Sequence, residues 1–301
     1  MPRATPGARF IDPVVLSRIG SLELVARSVV EGFLNGLHHS PHFGLSVDFA
    51  EHRPYMPGDD IRRIDWRVYA RTDRHYVKQF EADTNTDFTI VFDTSKSMSF
   101  ASQGITKLDY GRILAACLAY FSSKQRDRVG LALFAGDRVE RIPPGAKHLD
   151  LVLHALDKAE AAAGGGLLAP LSRLSEHLRR RSIVLLISDF YEEVDRVSEA
   201  VGRLRQRGNE VIVFHILDPA ELDFPYDEAM TVADMETGER LPVVPETLAA
   251  DYRKLIREHV AAINRRMTEM GFDYVQLDTK KPLDFALFHF LSSRERLRRV
   301  R

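Results

Sequence analysis

The sequence predicts an α/β fold: a central, mostly parallel sheet with helices packed on its faces. Three observations carry this expectation. Four stretches, beginning at Phe88, Arg128, Ser182 and Glu210, are almost unbroken apolar runs rich in β-branched and aromatic residues, which is how strands buried on both faces read. Between them, apolar residues recur every three or four positions, and strands alternating with helices imply right-handed crossovers and a parallel sheet. Two of the strands also change character abruptly at their C-terminal ends. Asp93, Ser95 and Ser97 follow the first, within Phe88-Thr-Ile-Val-Phe-Asp-Thr-Ser-Lys-Ser-Met98, and Ser182-Ile-Val-Leu-Leu-Ile-Ser-Asp189 closes on a hydroxyl and a carboxylate.

Composition narrows the class of protein. At 301 residues there is chain enough for one large or two smaller domains with a substantial core. Apolar residues make up 45% and charged residues 28%, an ordinary globular balance. The net charge of -1, from 42 basic and 43 acidic residues, gives no general attraction to nucleic acid or to an anionic membrane. A single cysteine, Cys117, excludes an internal disulfide and lies in an apolar helical pattern where a small core residue is expected. No apolar run reaches membrane-spanning length and Met1–Ile11 lacks a signal-peptide core, so a cytoplasmic protein with no membrane span is expected.

In chain order, Pro13–Leu37 carries Val15, Ile19, Leu22, Val25, Val29 and Phe33 at helical spacing and reads as one amphipathic helix, stopped near Gly36. The loop His38-His-Ser-Pro-His-Phe-Gly44 fits no zinc spacing and reads as a polar loop. In Tyr55-Met-Pro-Gly-Asp-Asp-Ile-Arg-Arg-Ile-Asp-Trp66, Pro57-Gly58 suits a type II turn, and Asp59 or Asp60 can cap the helical turn that follows. The carboxylates here and the neighbouring Arg62, Arg63, Arg67, Arg71 and Arg74 form either an internal lattice that fixes the segment to the main domain or a partner-facing surface around Trp66. His75–Glu81 alternates like a half-buried strand.

Leu108–Lys124 is helical, with Leu114, Cys117, Leu118 and Phe121 on one face. After the Arg128–Ala135 strand, Gly136-Asp137 turns the chain into a short strand, Arg138–Ile142, stopped by Pro143-Pro-Gly145. Helices at Ala146–Glu160 and Leu167–Arg180 flank Ala161-Ala-Ala-Gly-Gly-Gly166, and Glu192–Arg207 is a helix ended by Gly208. His215, inside the Glu210–Leu217 strand, reads as a hydrogen-bonded core histidine rather than a ligand. Pro219, Pro225 and Gly238 divide residues 218–242 into the short pieces of an inserted hairpin. Leu248–Met270, Phe272–Leu277 and Leu283–Arg296 then complete the chain as helix, strand and helix before a basic tail.

In the common strand order 3-2-1-4-5-6, the direction of the sheet reverses between strands 1 and 4, and ligands bind beyond the C-terminal ends there. The Phe88 strand is first and the Ser182 strand fourth, counting the short Arg138 strand as third. Asp93, Ser95, Ser97 and Asp189 would then converge on one crevice. Carboxylates and hydroxyls are hard oxygen donors that suit a hard cation such as Mg²⁺. The alternative is that Asp93 and Ser95 only cap the turn that follows them.

Asp93-x-Ser95-x-Ser97 with the later Asp189 resembles the metal-ion-dependent adhesion site of von Willebrand factor A domains. The resemblance implies a Rossmann-like A domain in which Ser95 and Ser97 ligate Mg²⁺ or Mn²⁺ directly, Asp93 and Asp189 act largely through water, and an open position accepts an acidic residue from a partner. Upstream, Arg53-Pro-Tyr-Met-Pro-Gly-Asp-Asp-Ile-Arg-Arg-Ile-Asp-Trp66, with Ala70-Arg71 and Lys78-Gln-Phe-Glu81, resembles the signature of the family called domain of unknown function fifty-eight. That resemblance runs from about Ser46 to the C-terminus. It implies a smaller N-terminal helix-plus-strand segment at 1–85 and an A-like domain at 86–301, with the hairpin inserted at about 218–242. Members of the family often neighbour MoxR-type AAA+ ATPases and are thought to serve them as adaptors or assembly factors. Many carry N-terminal membrane helices, and this chain resembles the soluble form. One departure stands out: the adhesion site's threonine, commonly within Gly-Gly-Thr, has no counterpart in Gly164-Gly165-Gly166-Leu167-Leu168. Mg²⁺ readily keeps waters, so a water can take that place at reduced affinity.

The expected function is therefore a non-enzymatic protein-binding or adaptor module. The alternative is a metal-dependent phosphohydrolase of the haloacid-dehalogenase type with Asp93 as nucleophile. That chemistry needs a second carboxylate two residues on, where Ser95 stands. The sequence has no dinucleotide glycine fingerprint after the first strand, no P-loop, no zinc constellation and no nucleophile elbow.

Overall fold

The structure, a computed structural model, describes residues 12–38, 51–55, 69, 76–79 and 86–300. Residues 56–66, which include Arg62, Arg63 and Asp65, and residues 39–44 of the histidine loop lie outside that set. The N-terminal amphipathic stretch is two helices, α1 (Pro13–Leu16) and α2 (Leu22–His38), rather than the single helix its periodicity predicts. Asp12 caps α1 by accepting from the Val14 N–H at 2.9 Å, and the Ser17 hydroxyl ends it by donating to the Val14 carbonyl. Local capping beside the unconstrained Gly20 overrides the shared period. The break leaves Val15 and Ile19 exposed at 58% and 45%, while Val25 and Val29 are buried.

Strands β1 (Glu51–Pro54) and β2 (Tyr76–Gln79) pair antiparallel as a ribbon of their own. The chain then builds β3 (Asp87–Asp93), α3 (Lys107–Lys124), β4 (Arg128–Ala135), β5 (Arg138–Gly145), α4 (Leu149–Asp157) and α5 (Leu168–His177). β6 (Ile183–Ser188), α6 (Val194–Leu204), β7 (Glu210–Leu217) and α7 (Pro219–Asp223) follow. The chain ends with a hairpin, β8 (Met230–Ala233) and β9 (Arg240–Val243), then α8 (Pro245–Glu269), β10 (Asp273–Asp278) and α9 (Asp284–Val300).

Six strands form one sheet in the order β10-β7-β6-β3-β4-β5. Numbered along the chain this is the expected 3-2-1-4-5-6, parallel throughout except that β5 runs antiparallel to β4. The fold is α/β, as the A-domain resemblance implies. β5 continues through Pro143 and Pro144 instead of stopping before them, which an edge strand tolerates because one side has no ladder to complete. Gly130 on β4 makes the room, since a Cβ there would lie 2.7 Å from the Pro144 nitrogen and 2.9 Å from the Ile142 carbonyl oxygen.

Alternate residues along each strand feed two core layers, as the pleat requires. Phe88, Ile90 and Phe92 pack with α2, α3 and α9 on one face. Val91, Ala132, Leu186 and Val213 pack with α5, α6 and α8 on the other. α9 is seated by Phe290, whose ring meets Phe88 and Phe121 edge-on at 5.6 and 6.0 Å. It is also seated by the buried ion pair of Arg294 with Asp127. With both layers filled, β3 and β6 lie side by side at the centre. Phe92 pairs with Ile187, which sets Asp93 level with Ser188 where the chain leaves the sheet.

Candidate functional site

The site grows from the last residue of β3. Asp93 is 4% exposed, and both its oxygens are engaged: Oδ1 accepts from the Ser95 N–H at 2.9 Å and Oδ2 from the Ser188 hydroxyl at 2.6 Å. Beyond it, Thr94 donates to the Phe134 carbonyl through both its N–H (2.8 Å) and its hydroxyl (3.0 Å). The Thr94 carbonyl in turn accepts from the Ala162 N–H at 2.9 Å. These bonds fix the turn against β4 and draw the 161–166 loop to its side. The Ser95 and Ser97 hydroxyls meet at 3.0 Å. Ser95 precedes a short 3₁₀ turn, Lys96–Ser99, but its side chain makes no capping bond there. Of the alternative reading, the Asp93 half holds, since its Oδ1 accepts from the Ser95 N–H that opens the turn, whereas the Ser95 hydroxyl makes no cap.

Asp189, next after β6, is buried beside Asp93. Its Oδ2 accepts from Lys107 Nζ at 2.7 Å, and the same ammonium donates to Glu221 Oε1 at 2.6 Å. Lys107 is 0% exposed and lies 4.8 Å from the centre of the Tyr191 ring. Burial alone would lower the lysine pKa, but Asp189 and Glu221 together outweigh burial and hold it above its ordinary value. His215 Nε2 lies 2.8 Å from the Asp189 carbonyl, which can only accept, so Nε2 carries the proton and Nδ1 accepts from the Tyr274 hydroxyl at 2.7 Å. It is the satisfied core histidine the sequence suggests. Glu221 completes a capping box at the start of α7, and its Oε2 accepts from the Asp218 N–H at 2.8 Å.

Lys107 pairs with Asp189 and Glu221 and leaves Asp93 without a cationic partner of its own in these contacts, and burial together with Asp189 pushes Asp93 up to about 7. An added cation would relieve this directly. The Ser95 and Ser97 hydroxyls, hydrogen-bonded to each other at 3.0 Å, also stand at about the 3.0 Å separation of adjacent ligands around an octahedral Mg²⁺ with oxygens at about 2.1 Å. Ser95 and Ser97 are the residues whose hydroxyls could hold a hard cation directly. Asp93, with both oxygens already bonded, would orient them from behind.

A family sequence profile, described as protein of unknown function DUF58, matches residues 51–263. The chain belongs to the DUF58 family. Among its relatives are uncharacterized proteins of Mycobacterium tuberculosis and Mycobacterium bovis. Each is 28% identical over 291 residues, a stretch that covers 95% of this chain and 91% of the relative. A solved structure of the conserved hypothetical protein BatB from Bacteroides thetaiotaomicron superposes with a TM-score of 0.46 at 16% identity, covering 69% of this chain and 98% of BatB. The SpRpn10 VWA domain superposes at 0.40 and 11% identity, covering 67% of this chain and 93% of that domain.

The structure of this DUF58 chain brings Asp93, Ser95, Ser97 and Asp189 to one sheet edge, and adds residues that the sequence reading missed. Lys107 looks like an ordinary first-turn lysine, and nothing in its neighbourhood marks it as buried. Glu221 carried a signal, because Asp218-Pro-Ala-Glu221 is a capping-box pattern, but the pattern does not say which lysine it meets. Glu236 carried none. It sits in the turn of the β8–β9 hairpin, yet its carboxylate reaches the site, accepting from Ser97 N–H at 2.9 Å and from Gly164 N–H at 2.6 Å. The threonine-less loop thus presents a backbone donor to a carboxylate. Among the described residues no helix is long and apolar enough to cross a membrane.

Proposed function

We propose that this chain is a non-enzymatic protein-binding module whose docking face is the crevice at Asp93, Ser95, Ser97 and Asp189, and that Mg²⁺ or Mn²⁺ is its resident ion. The convergence of two hydroxyls and two buried carboxylates at the reversal point of the sheet carries this reading. The ion would supply a Lewis-acidic centre for a partner's acidic side chain. This chain's own groups do the rest: Ser188 and the Ser95 N–H hold Asp93 in place, and Lys107 holds Asp189. The family resemblance suggests a MoxR-type AAA+ ATPase in the cytoplasm as the system served, with the module acting in assembly or maturation of protein complexes.

Two measurements test the proposal. Calorimetric titration should give weak Mn²⁺ or Mg²⁺ binding that is lost in Asp93→Ala, and a tagged native copy should capture an AAA+ ATPase that the variant does not. No heat for either ion, with capture unchanged in Asp93→Ala, would remove the crevice from the function.

A further inference from the structure

We propose that the β8–β9 hairpin is an internal plug, and that Glu236 occupies a built carboxylate cradle which an acidic side chain of a protein partner must take over. The proposal rests on the reading of this face as a protein-docking surface.

Two separate segments make the cradle. Ser97 N–H, from the turn after β3, and Gly164 N–H, from the loop between α4 and α5, each donate to a different oxygen of Glu236, at 2.9 and 2.6 Å. A carboxylate held by two converging backbone donors is the usual way such groups are captured at nests and turns. Glycine at 164 is a requirement of this approach: a Cβ there would lie 2.6 Å from Glu236 Oε2. The loop is also backed by glycine on its other side, since a Cβ on Gly136 would stand 3.0 Å from the Gly164 carbonyl oxygen. The donor loop is therefore pressed between the β4–β5 turn and the incoming carboxylate.

The hairpin is shaped to deliver that group. Asp234 Oδ1 accepts from the Glu236 and Thr237 N–H groups at 2.8 and 2.7 Å, and Gly238 closes the turn at φ +75°. From Thr231 to Pro242 every residue is exposed except Glu236, which is half-buried. The two strands pair only with each other and join no edge of the main sheet. Between Thr231 and Pro242 the acid in the cradle is the one covered side chain, and the ribbon's other covered positions are its ends, half-buried Met230 and buried Val243, so the turn can lift away while the ends stay seated. A partner acid arriving at the crevice meets donors that are already matched to a carboxylate and already filled by one. Tethering makes Glu236 a competitor at an effective concentration on the order of 1 mM.

The test uses full-length chain and a cyclised peptide with the sequence Met230–Val243, followed by the amide NMR shifts of Ser97 and Gly164 in chelator. In Glu236→Ala the emptied cradle should bind the peptide saturably, at least about tenfold more tightly than wild type does. The same peptide carrying Glu236→Gln should not bind. Gly164→Ala, whose methyl group excludes the carboxylate, should speed amide exchange in the hairpin while leaving the protein unable to bind the peptide. Peptide affinities within threefold of each other in wild type and Glu236→Ala, or no saturable shift in Glu236→Ala, would overturn the plug. Because no metal or AAA+ ATPase enters the readout, this result and that of the docking-site proposal are separable.

Discussion

Asp93 and His215 are both buried, yet burial moves their protonation in opposite directions. Asp93 is raised from 3.8 to about 7, and His215 is lowered from 6.5 to about 3 because an imidazolium at its position would be desolvated. For Asp93, the folded state keeps a proton that the unfolded chain has lost between those values, so its contribution to stability grows as pH falls through 7. For His215, the unfolded chain binds the proton first, so stability is lost as pH falls below 6.5. At about 1.4 kcal/mol per unit, going from pH 7 to pH 5 gains about 2 kcal/mol from Asp93, which is already half protonated at pH 7, and loses about 2 kcal/mol from His215. The wild-type protein in chelator should therefore be nearly flat over this range. Asp93→Asn removes only the first contribution, and urea melts of that variant should show about 2 kcal/mol less stability at pH 5 than at pH 7. An equally flat Asp93→Asn would mean that His215 does not stay neutral in the fold.

At the scale of elements, α9 shows how a charged, weakly amphipathic C-terminal helix is held. Phe290 wedges between Phe88 and Phe121, and Arg294 reaches buried Asp127 at the turn between α3 and β4. The aromatic seat should dominate, because truncating a buried phenylalanine costs about 3–5 kcal/mol in lost transfer energy and cavity. Phe290→Ala is expected to lose that much in a urea melt while keeping the fold, since the ion pair still anchors the helix end. A loss below about 1 kcal/mol would show that the helix contributes little to the core. The β8–β9 hairpin is the opposite kind of element, with local turn chemistry but almost no buried apolar surface, and so belongs to the low-stability end of the molecule.

At the scale of the whole molecule, the order of strands brings the candidate site residues together. β3 and β6 are neighbours whose following helices pack on opposite faces of the sheet, and the region beyond their C-terminal ends is where sheets of this order place ligands. The crevice holds Asp93 but has Ser95 two residues on, where a phosphohydrolase of the dehalogenase type would need its acid. The chain is accordingly expected to show no phosphatase turnover of p-nitrophenyl phosphate with Mg²⁺. A turnover that vanishes in Asp93→Asn would restore the enzymatic reading.

The sequence by itself determined the core and the sheet. The runs at Phe88, Arg128, Ser182 and Glu210 are so continuously apolar that only strands buried on both faces accommodate them, and their alternation with helices leaves few possible strand orders. It also named Asp93, Ser95, Ser97 and Asp189 as neighbours, because strand ends are local features and the sheet order carries them together. It misread Val15 and Ile19, where capping by Ser17 beside Gly20 overrode a shared helical period. Only the tertiary structure decided the charges around the crevice. Lys107 lies in the first turn of a helix and Glu236 in the turn of an exposed hairpin, positions that read as solvated in any one-dimensional pattern. What makes them part of the site is a partner 82 residues away for the lysine, at Asp189, and donors 139 and 72 residues away for the glutamate, at Ser97 and Gly164. Periodicity records which face of an element is dry, whereas the pairing of distant polar groups depends on distances that exist only once the chain has closed on itself.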